Sequence, residues 1–360
     1  MNIYHLINNL SNGGAENMLL RYIRADNSDD YNHTVCHLGD SEGIRSRFTD
    51  NGIRVVNLKG NLITSPSNTV QLIRFFQTEP IDILHTHLPY SHIVGRVFAR
   101  LSGINKIVST HHNIAESRSY RGKVGNIEVL TRVLANKEIA VSASVKQTQL
   151  SYVKSDWSII RNAIDVSGFA ERVETANTTP LHSKYEINNK KALLNIGRYV
   201  PQKNQRILIQ AMKNIVEHHP NVLLFIVGWG ELENRLRSEV INNNLENHIV
   251  ITGKVPCIEP YYSVASGYVS SSIYEGFSLT LIEALAAGLP IVTTNVKGSK
   301  EAVGGSAIIV DSQSAQALAD GVIKLLDGKK KYSTSKIRDR ANEFDISKYI
   351  EKHHELYDSL

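Results

Sequence analysis

At 360 residues the chain is longer than one hydrophobic core usually organises and suits two domains. Its 40 basic and 35 acidic side chains leave a formal net charge of +5, a mild excess that speaks against a nucleic-acid partner. The two cysteines, Cys36 and Cys257, have neither zinc nor redox spacing, and neither a signal-peptide pattern nor a long apolar run occurs; the expectation is a cytoplasmic protein in a reducing compartment, without a membrane span.

In chain order, the first half alternates short apolar runs with segments of helical period. IYHLI precedes a helix from about Ala15, and HTVCHL and IRVVNL precede a helix near 69–77. DILHTH is followed by a helix near 92–101, KIVST by one near 125–134, and EIAVS closes the series. Such a β/α succession predicts a parallel sheet. Residues 166–190 lose the apolar periodicity and gain Thr, Asn, Ser and Lys, which reads as an interdomain connection. Alternation then restarts: ALLNIG, a helix over about 204–217, VLLFIVG, a helix from Leu232, HIVITG, GYVSSS, a helix from Ser278, PIVTTN, SAIIV and a helix over about 315–326. Ile346, Tyr349, Ile350, His353, Leu356, Tyr357 and Leu360 fall at helical spacing, predicting an amphipathic helix that packs back on a domain. The expected layout is an N-terminal doubly wound domain (1–165), a connection (166–190), a second doubly wound domain (191–342) and a C-terminal helix (343–360). Ligands of doubly wound sheets sit beyond the carboxyl ends of strands, so motifs at strand ends are the candidate site.

The most informative motif is EGFSLTLIEALAAG at 275–288, where Glu275 and Glu283 bracket a Gly-Phe-Ser turn and a helix start. Ser278 is expected to cap that helix, and backbone amides at its start would favour phosphate. From Ser278 to Glu283 the helix rises roughly 7–8 Å at about 1.5 Å per residue, so the carboxylates should flank an anion rather than crowd it. Glu283 lies among Leu281, Ile282, Ala284, Leu285 and Ala286; a carboxylate buried there must have a partner.

ALLNIG ends at Gly197-Arg198, and Lys203 follows at the next helix start. Arginine grips phosphate oxygens bidentately and lysine acts as a point charge, so the pair suits a diphosphate, although a solvated surface pair looks the same. Gly13-Gly14 before a helix allows close backbone approach to phosphate, or is a plain tight turn. His85, His87, His111 and His112 stand at strand ends and could orient a hydroxyl; the absence of any Asp-x-Asp and of further obvious ligands argues against a metal. His218-His219 and His353-His354 read as helix-end or surface residues.

Together these residues resemble the retaining glycosyltransferases of family 4, of GT-B fold: two Rossmann-like doubly wound α/β domains facing each other across a cleft. The specific matches are Glu275-Gly276-Phe277 through Glu283-Ala284, similar to that family's E-G-F-x-x-x-x-x-E signature, and GRYVPQKN at 197–204; STHHN at 109–113 and RNAID at 161–165 are weaker ones. The resemblance implies that Arg198 and Lys203 hold the donor diphosphate and Glu275 the transferred sugar. Amides near Phe277, Ser278 and Leu279 would help hold sugar and phosphate, Glu283 would hold the ribose, Val255 would face the base, and Gly14 would approach the phosphate. His112 matches the family histidine, with His111 the near alternative. Ser278, Ala163 and Trp229 depart from the family pattern and leave the donor's identity open.

The implied reaction moves a sugar from a nucleotide diphosphate sugar, expected to be a UDP-linked hexose or N-acetylhexosamine, to a hydroxyl of a glycan or lipid-linked glycan in surface polysaccharide or oligosaccharide assembly. No metal and no other cofactor is expected. Competing readings are a nucleotide-sugar epimerase and a non-catalytic sugar-nucleotide-binding protein. Arg118, Arg121 and Lys123 precede an apolar pattern at Val124, Ile127, Leu130 and Leu134, which either packs on its own domain or lies on an anionic membrane and presents the acceptor.

Overall fold

A computed structural model describes residues 1–58, 66–114, 123–150, 156–311, 313–328 and 333–360. The chain divides into two units, 1–163 with 346–360, and 164–345.

In the first unit the strands are β1 (Asn2–Ile7), β2 (Asn32–His37), β3 (Arg54–Asn57), β4 (Ile83–His87), β5 (Ile107–His111), β6 (Lys137–Ala140) and β7 (Trp157–Ile159), in the order β3-β2-β1-β4-β5-β6-β7. Every pairing is parallel. Strand order reverses between β1 and β4, which makes their carboxyl ends the topological switch point. Tyr4, Leu6, Leu84 and Ile107 on the sheet pack with Leu72, Phe76, Val94 and Ala99 from the helices Pro66–Thr78 and Pro89–Leu101. The C-terminal helix Ile346–Asp358 packs on Gly14–Ala25 in the same unit.

The second unit holds β8 (Lys191–Ile196), β9 (Val222–Val227), β10 (Ile249–Gly253), β11 (Gly267–Ser270), β12 (Ile291–Thr294) and β13 (Ile308–Val310), in the order β10-β9-β8-β11-β12-β13, again all parallel. Its switch point lies between β8 and β11. Helices cover both faces of such a sheet, so β9, VLLFIV, is buried along its whole length. Helix Gln205–His218 buries Leu208, Ile209, Ala211, Met212 and Ile215, the apolar stripe of a 3.6-residue period.

Residues 166–190, which composition suggests are a connection, fold as helices Val166–Glu174 and Thr179–Tyr185 and belong to the second unit. The first is short but well specified. Asp165 caps it by accepting from Gly168 N at 2.9 Å, and Val166, Phe169 and Val173 are buried. Nine residues with three apolar anchors are too few to raise a periodic signal above the surrounding polar ones. His353, expected near a surface, is fully buried in the C-terminal helix. Among the described residues no helix is long and apolar enough to cross a membrane.

Candidate functional site

The loop after β8 and the loop after β11 interlock at the switch point of the second unit. Gly197 and Arg198 follow β8, a short 3-10 turn spans Pro201–Lys203, and Asn204 takes a left-handed conformation (φ 47°) before helix Gln205–His218. Ser271 Oγ donates to the Lys203 carbonyl at 2.8 Å, Ile273 N to the Gln202 carbonyl at 2.9 Å, and Gln202 Nε2 to the Tyr274 carbonyl at 3.0 Å. These bonds hold the Lys203 ammonium 2.5 Å from Glu275 Oε1, which also accepts from Ser272 Oγ at 2.6 Å. Ser272 is fixed in turn by Thr294 Oγ1, which donates to its carbonyl at 2.6 Å. The Arg198 side chain is exposed at the same strand end, and its carbonyl accepts from Gln205 Nε2 at 3.0 Å.

Two backbone approaches shape this corner. A Cβ on Gly298 would lie 2.4 Å from the Glu275 carbonyl oxygen and 2.7 Å from that of Gly276, so only glycine lets the helix Lys297–Val303 back the Glu275 turn so closely. In Gly228-Trp229-Gly230, Tyr199 N donates to the Trp229 carbonyl at 2.7 Å, and a Cβ on Gly228 would sit 2.0 Å from the Gly197 carbonyl oxygen. Trp229 itself is exposed. Its two glycines brace the Arg198 loop from behind.

Helix Leu279–Ala286 follows. Ser278 stands at its N-cap position but makes no cap hydrogen bond; its hydroxyl lies 3.2 Å from Thr280 Oγ1 instead. The expected serine cap is therefore absent, and the first-turn amides, which nothing inside a helix can accept from, are left uncapped by that side chain. Phe277 packs edge-on against Phe344, ring centroids 5.1 Å apart, so it offers a site only its backbone. Leu279 is half-buried, as is Val255 just beyond β10. Glu283 is 3% exposed, and the Tyr262 hydroxyl lies 3.0 Å from its Oε2. A buried carboxylate needs such a donor.

The first unit holds the remaining candidates. Gly14 is exposed at the start of its helix. Glu16 is buried and folds back over the turn: its Oε1 accepts from Ser11 Oγ at 2.7 Å, and a Cβ on Gly13 would meet its Oε2 at 2.4 Å. An acidic side chain thus already complements this helix terminus. His112 is half-buried just past β5, with its pKa pushed down to about 3 by burial and then by His111. His111, the alternative, is fully buried with Nε2 2.6 Å from Glu138 Oε2, which makes it part of the interior. Arg118 and Arg121 lie outside the described residues; Lys123 opens the helix Lys123–Thr131. That helix and the 3-10 turn after it, Arg132–Leu134, bury Glu128 and Arg132 while Val124, Ile127, Leu130 and Val133 are exposed.

Sequence reasoning missed Ser272, Tyr262 and Gly298. The serine run 270–272 at a strand end was the one available signal, because the other two reach the site only through tertiary contact.

Comparison with known proteins matches residues 12–167 to Glycosyltransferase Family 4 and residues 177–343 to Glycosyl transferases group 1. A UDP-Gal:alpha-D-GlcNAc-diphosphoundecaprenol alpha-1,3-galactosyltransferase from Escherichia coli is 26% identical over 82% of this chain and 80% of its own length. A phosphatidyl-myo-inositol mannosyltransferase from Mycobacterium tuberculosis is 26% identical over 68% of this chain and 65% of its own. Among solved structures, Anabaena HepE in complex with UDP-glucose superposes with a TM-score of 0.86 at 19% identity, covering all of both chains. The two doubly wound halves are those of the GT-B fold, and the chain belongs to glycosyltransferase family 4.

Proposed function

We propose that the chain transfers a hexose or N-acetylhexosamine from a UDP-linked donor to a hydroxyl of a glycan or lipid-linked glycan, with retention at the anomeric carbon and without a metal. The observation that carries this reading is the Lys203–Glu275 pair at the β8/β11 switch point, 2.5 Å apart beside the exposed Arg198. A diphosphate entering this corner competes with Glu275 for the Lys203 ammonium and takes Arg198 as its second cation. Glu275, released from lysine but still held by Ser272, turns to hydroxyls of the transferred sugar. The amides of Ser278 and Leu279 add partial positive charge at the helix start. Glu283 takes the ribose and Val255 lies along the base; Gly14 is proposed for the donor phosphate and His112 for the catalytic step.

In the reaction the bond from the anomeric carbon to the diphosphate oxygen breaks, and a bond to the acceptor oxygen forms on the same face. The acceptor's proton passes to the departing diphosphate. Arg198, Lys203 and the helix amides offset the charge that develops there, so no divalent cation is required. Relatives acting on a diphosphoundecaprenol-linked sugar and on phosphatidyl-myo-inositol support a lipid-linked acceptor in surface polysaccharide or lipopolysaccharide assembly. The outward apolar stripe at Val124, Ile127, Leu130 and Val133 suits peripheral contact with an anionic membrane at the cytoplasmic face.

The test is a panel of nucleotide sugars, with EDTA present, read by nucleotide release with and without acceptor. Release from a UDP-sugar only when acceptor is present, retained in EDTA, is expected. Glu275→Gln should lower turnover by about 10²–10³, the scale of a lost transition-state contact, while UDP binding stays near wild type. A new sugar isomer formed without acceptor would make the chain an epimerase, and binding without turnover would make it a scaffold.

A further inference from the structure

A line of buried polar side chains crosses one face of the first unit's sheet and ends at His112. Asp26 Oδ2 lies 3.0 Å from His33 Nε2; His33 Nδ1 lies 2.9 Å from His5 Nε2; His5 Nδ1 lies 3.2 Å from His87 Nε2; and His87 Nδ1 lies 3.4 Å from His112 Nε2. His33 stands near the amino end of β2, His5 in the middle of β1, His87 at the last residue of β4, and His112 just past β5. The line therefore climbs diagonally from the amino ends of the strands to their carboxyl ends, the edge at which doubly wound sheets bind ligands.

Protonation gives the line a direction. Burial drives the pKa values of His5 and His87 well below the ordinary range, and that of His112 to about 3, so these imidazoles are neutral. A neutral imidazole has one N–H and one lone pair. Burial works against the Asp26 carboxylate, but hydrogen bonds from His33 and His354 outweigh it and hold its pKa below the usual value. An ionised carboxylate only accepts. With a neutral imidazole at His33 too, His33 donates from Nε2 and accepts at Nδ1, which obliges His5 to donate from Nε2, then His87, then His112.

We propose that Asp26, acting through His33, His5 and His87, fixes His112 in the Nε2–H tautomer and so presents its Nδ1 as a hydrogen-bond acceptor for a sugar hydroxyl. The site role of His112 rests on the function proposed above; the tautomer does not. Asp26, His33, His5 and His87 are positioning residues. His85 stacks on His87 at 4.3 Å but belongs to a side branch, with Nδ1 2.7 Å from the Tyr357 hydroxyl and Nε2 2.7 Å from Thr110 Oγ1. His353, Tyr22 and Tyr349 pack around the same cluster, and His354 Nε2 reaches Asp26 Oδ2 at 2.7 Å. The nitrogens of His5, His85 and His87 lie within 4.8 Å of one another, close enough to hold a metal ion. Each of their six ring nitrogens already faces a protein partner, which favours the hydrogen-bonded line.

The experiment is nitrogen-15 NMR of histidine side chains in the ligand-free 360-residue chain. His5, His33, His87 and His112 should all appear as Nε2–H tautomers. His33→Phe removes both the donor to Asp26 and the acceptor for His5, so His112 should populate the Nδ1–H form, and kcat should fall by about 10- to 100-fold, the scale on which outer-shell partners act, with donor KM little changed. His33→Gln keeps a donor and an acceptor and should restore both readouts. An Nδ1–H His112 in the wild type, an unchanged His112 tautomer in His33→Phe, or zinc binding that moves the His5, His85 and His87 signals together would overturn the proposal. Should His33→Phe not fold, Asp26→Asn and the wild-type tautomers decide. Unchanged turnover in His112→Ala would sink the site role of His112 and leave the tautomer result standing.

Discussion

Glu128 and Glu138 in the first unit and Glu275 in the second are buried glutamates held in opposite ways. In the first, Arg96 Nη2 sits 2.8 Å from both oxygens of Glu138 and Arg96 Nη1 2.8 Å from Glu128 Oε1; Arg132 Nη2 lies 2.6 Å from Glu128 Oε2, and His111 2.6 Å from Glu138. Two arginines balance two carboxylates, and all four side chains are buried. In the second, Glu275 faces one lysine, itself 19% exposed at a strand end, and one serine. The first arrangement has no loose partner and serves as a pillar between the helix Lys123–Thr131 and the sheet. The second has a partner that a ligand can take, and that difference separates a site from a support.

The comparison breaks most visibly in acid. Buried neutral histidines are concentrated in the first unit: the pKa values of His5, His85, His87, His92 and His111 lie well below the ordinary 6.5, and those of His112 and His353 near 3, burial being the leading cause in each. Because the folded values are depressed, the unfolded chain binds more protons once the pH drops below about 6.5. Stability present above that pH is lost on acidification, by about 1.4 kcal/mol per pH unit for each histidine protonated only when unfolded. Trp157 reports on the first unit and Trp229 on the second. The urea midpoint read by Trp157 should fall steeply from about pH 7.5 to 5.5, and a flat profile would contradict the neutral polar interior.

Arg96→Leu is next in size. It leaves Glu138 and Glu128 without their shared cation and should cost about 3–5 kcal/mol, as breaking a buried pair does. Lys203→Met should cost roughly 1–3 kcal/mol at most while abolishing most donor binding, measured by denaturant unfolding beside UDP titration. Equal stability losses in the two variants would erase the distinction between support and site. Gly298→Ala sharpens it from the other side. The added methyl meets two backbone oxygens that cannot swing away, so it should cost about 1–3 kcal/mol and displace the Glu275 turn, with turnover falling in a protein that still folds.

The strands β1–β6 and β8–β13 were legible because each is an apolar run in a β/α alternation, whereas β7, only three residues long, was not read; Glu275 and Glu283 stood out against apolar surroundings. Short helices such as Val166–Glu174 and Lys297–Val303 bury too few residues to show a period. Tyr262, Ser272 and Gly298 act through contacts that no local pattern records. Asp26, His33 and His5 look unrelated in the sequence, and only the parallel register of β2, β1 and β4 lines the histidines up. Periodicity also reveals a stripe without revealing which way it faces. The apolar positions of 124–134 look like a core face, yet it is Glu128 and Arg132 that point inward, because the arginine pillar needs them.

That inversion carries the smallest stability prediction and the one most informative about the acceptor. Leu130 is 73% exposed and Val133 76%, so Leu130→Ser with Val133→Ser should change unfolding free energy by no more than about 0.5 kcal/mol each, as surface substitutions do. If the stripe were only a solvated helix face, liposome sedimentation and transfer to a lipid-linked acceptor would be equally unmoved. If it meets an anionic membrane, sedimentation with anionic vesicles should drop in the double variant while transfer to a water-soluble acceptor analogue stays at wild-type rate. Loss of both activities together would place the stripe against the catalytic machinery instead, because a surface that merely delivers the acceptor has no effect on one that needs no delivery.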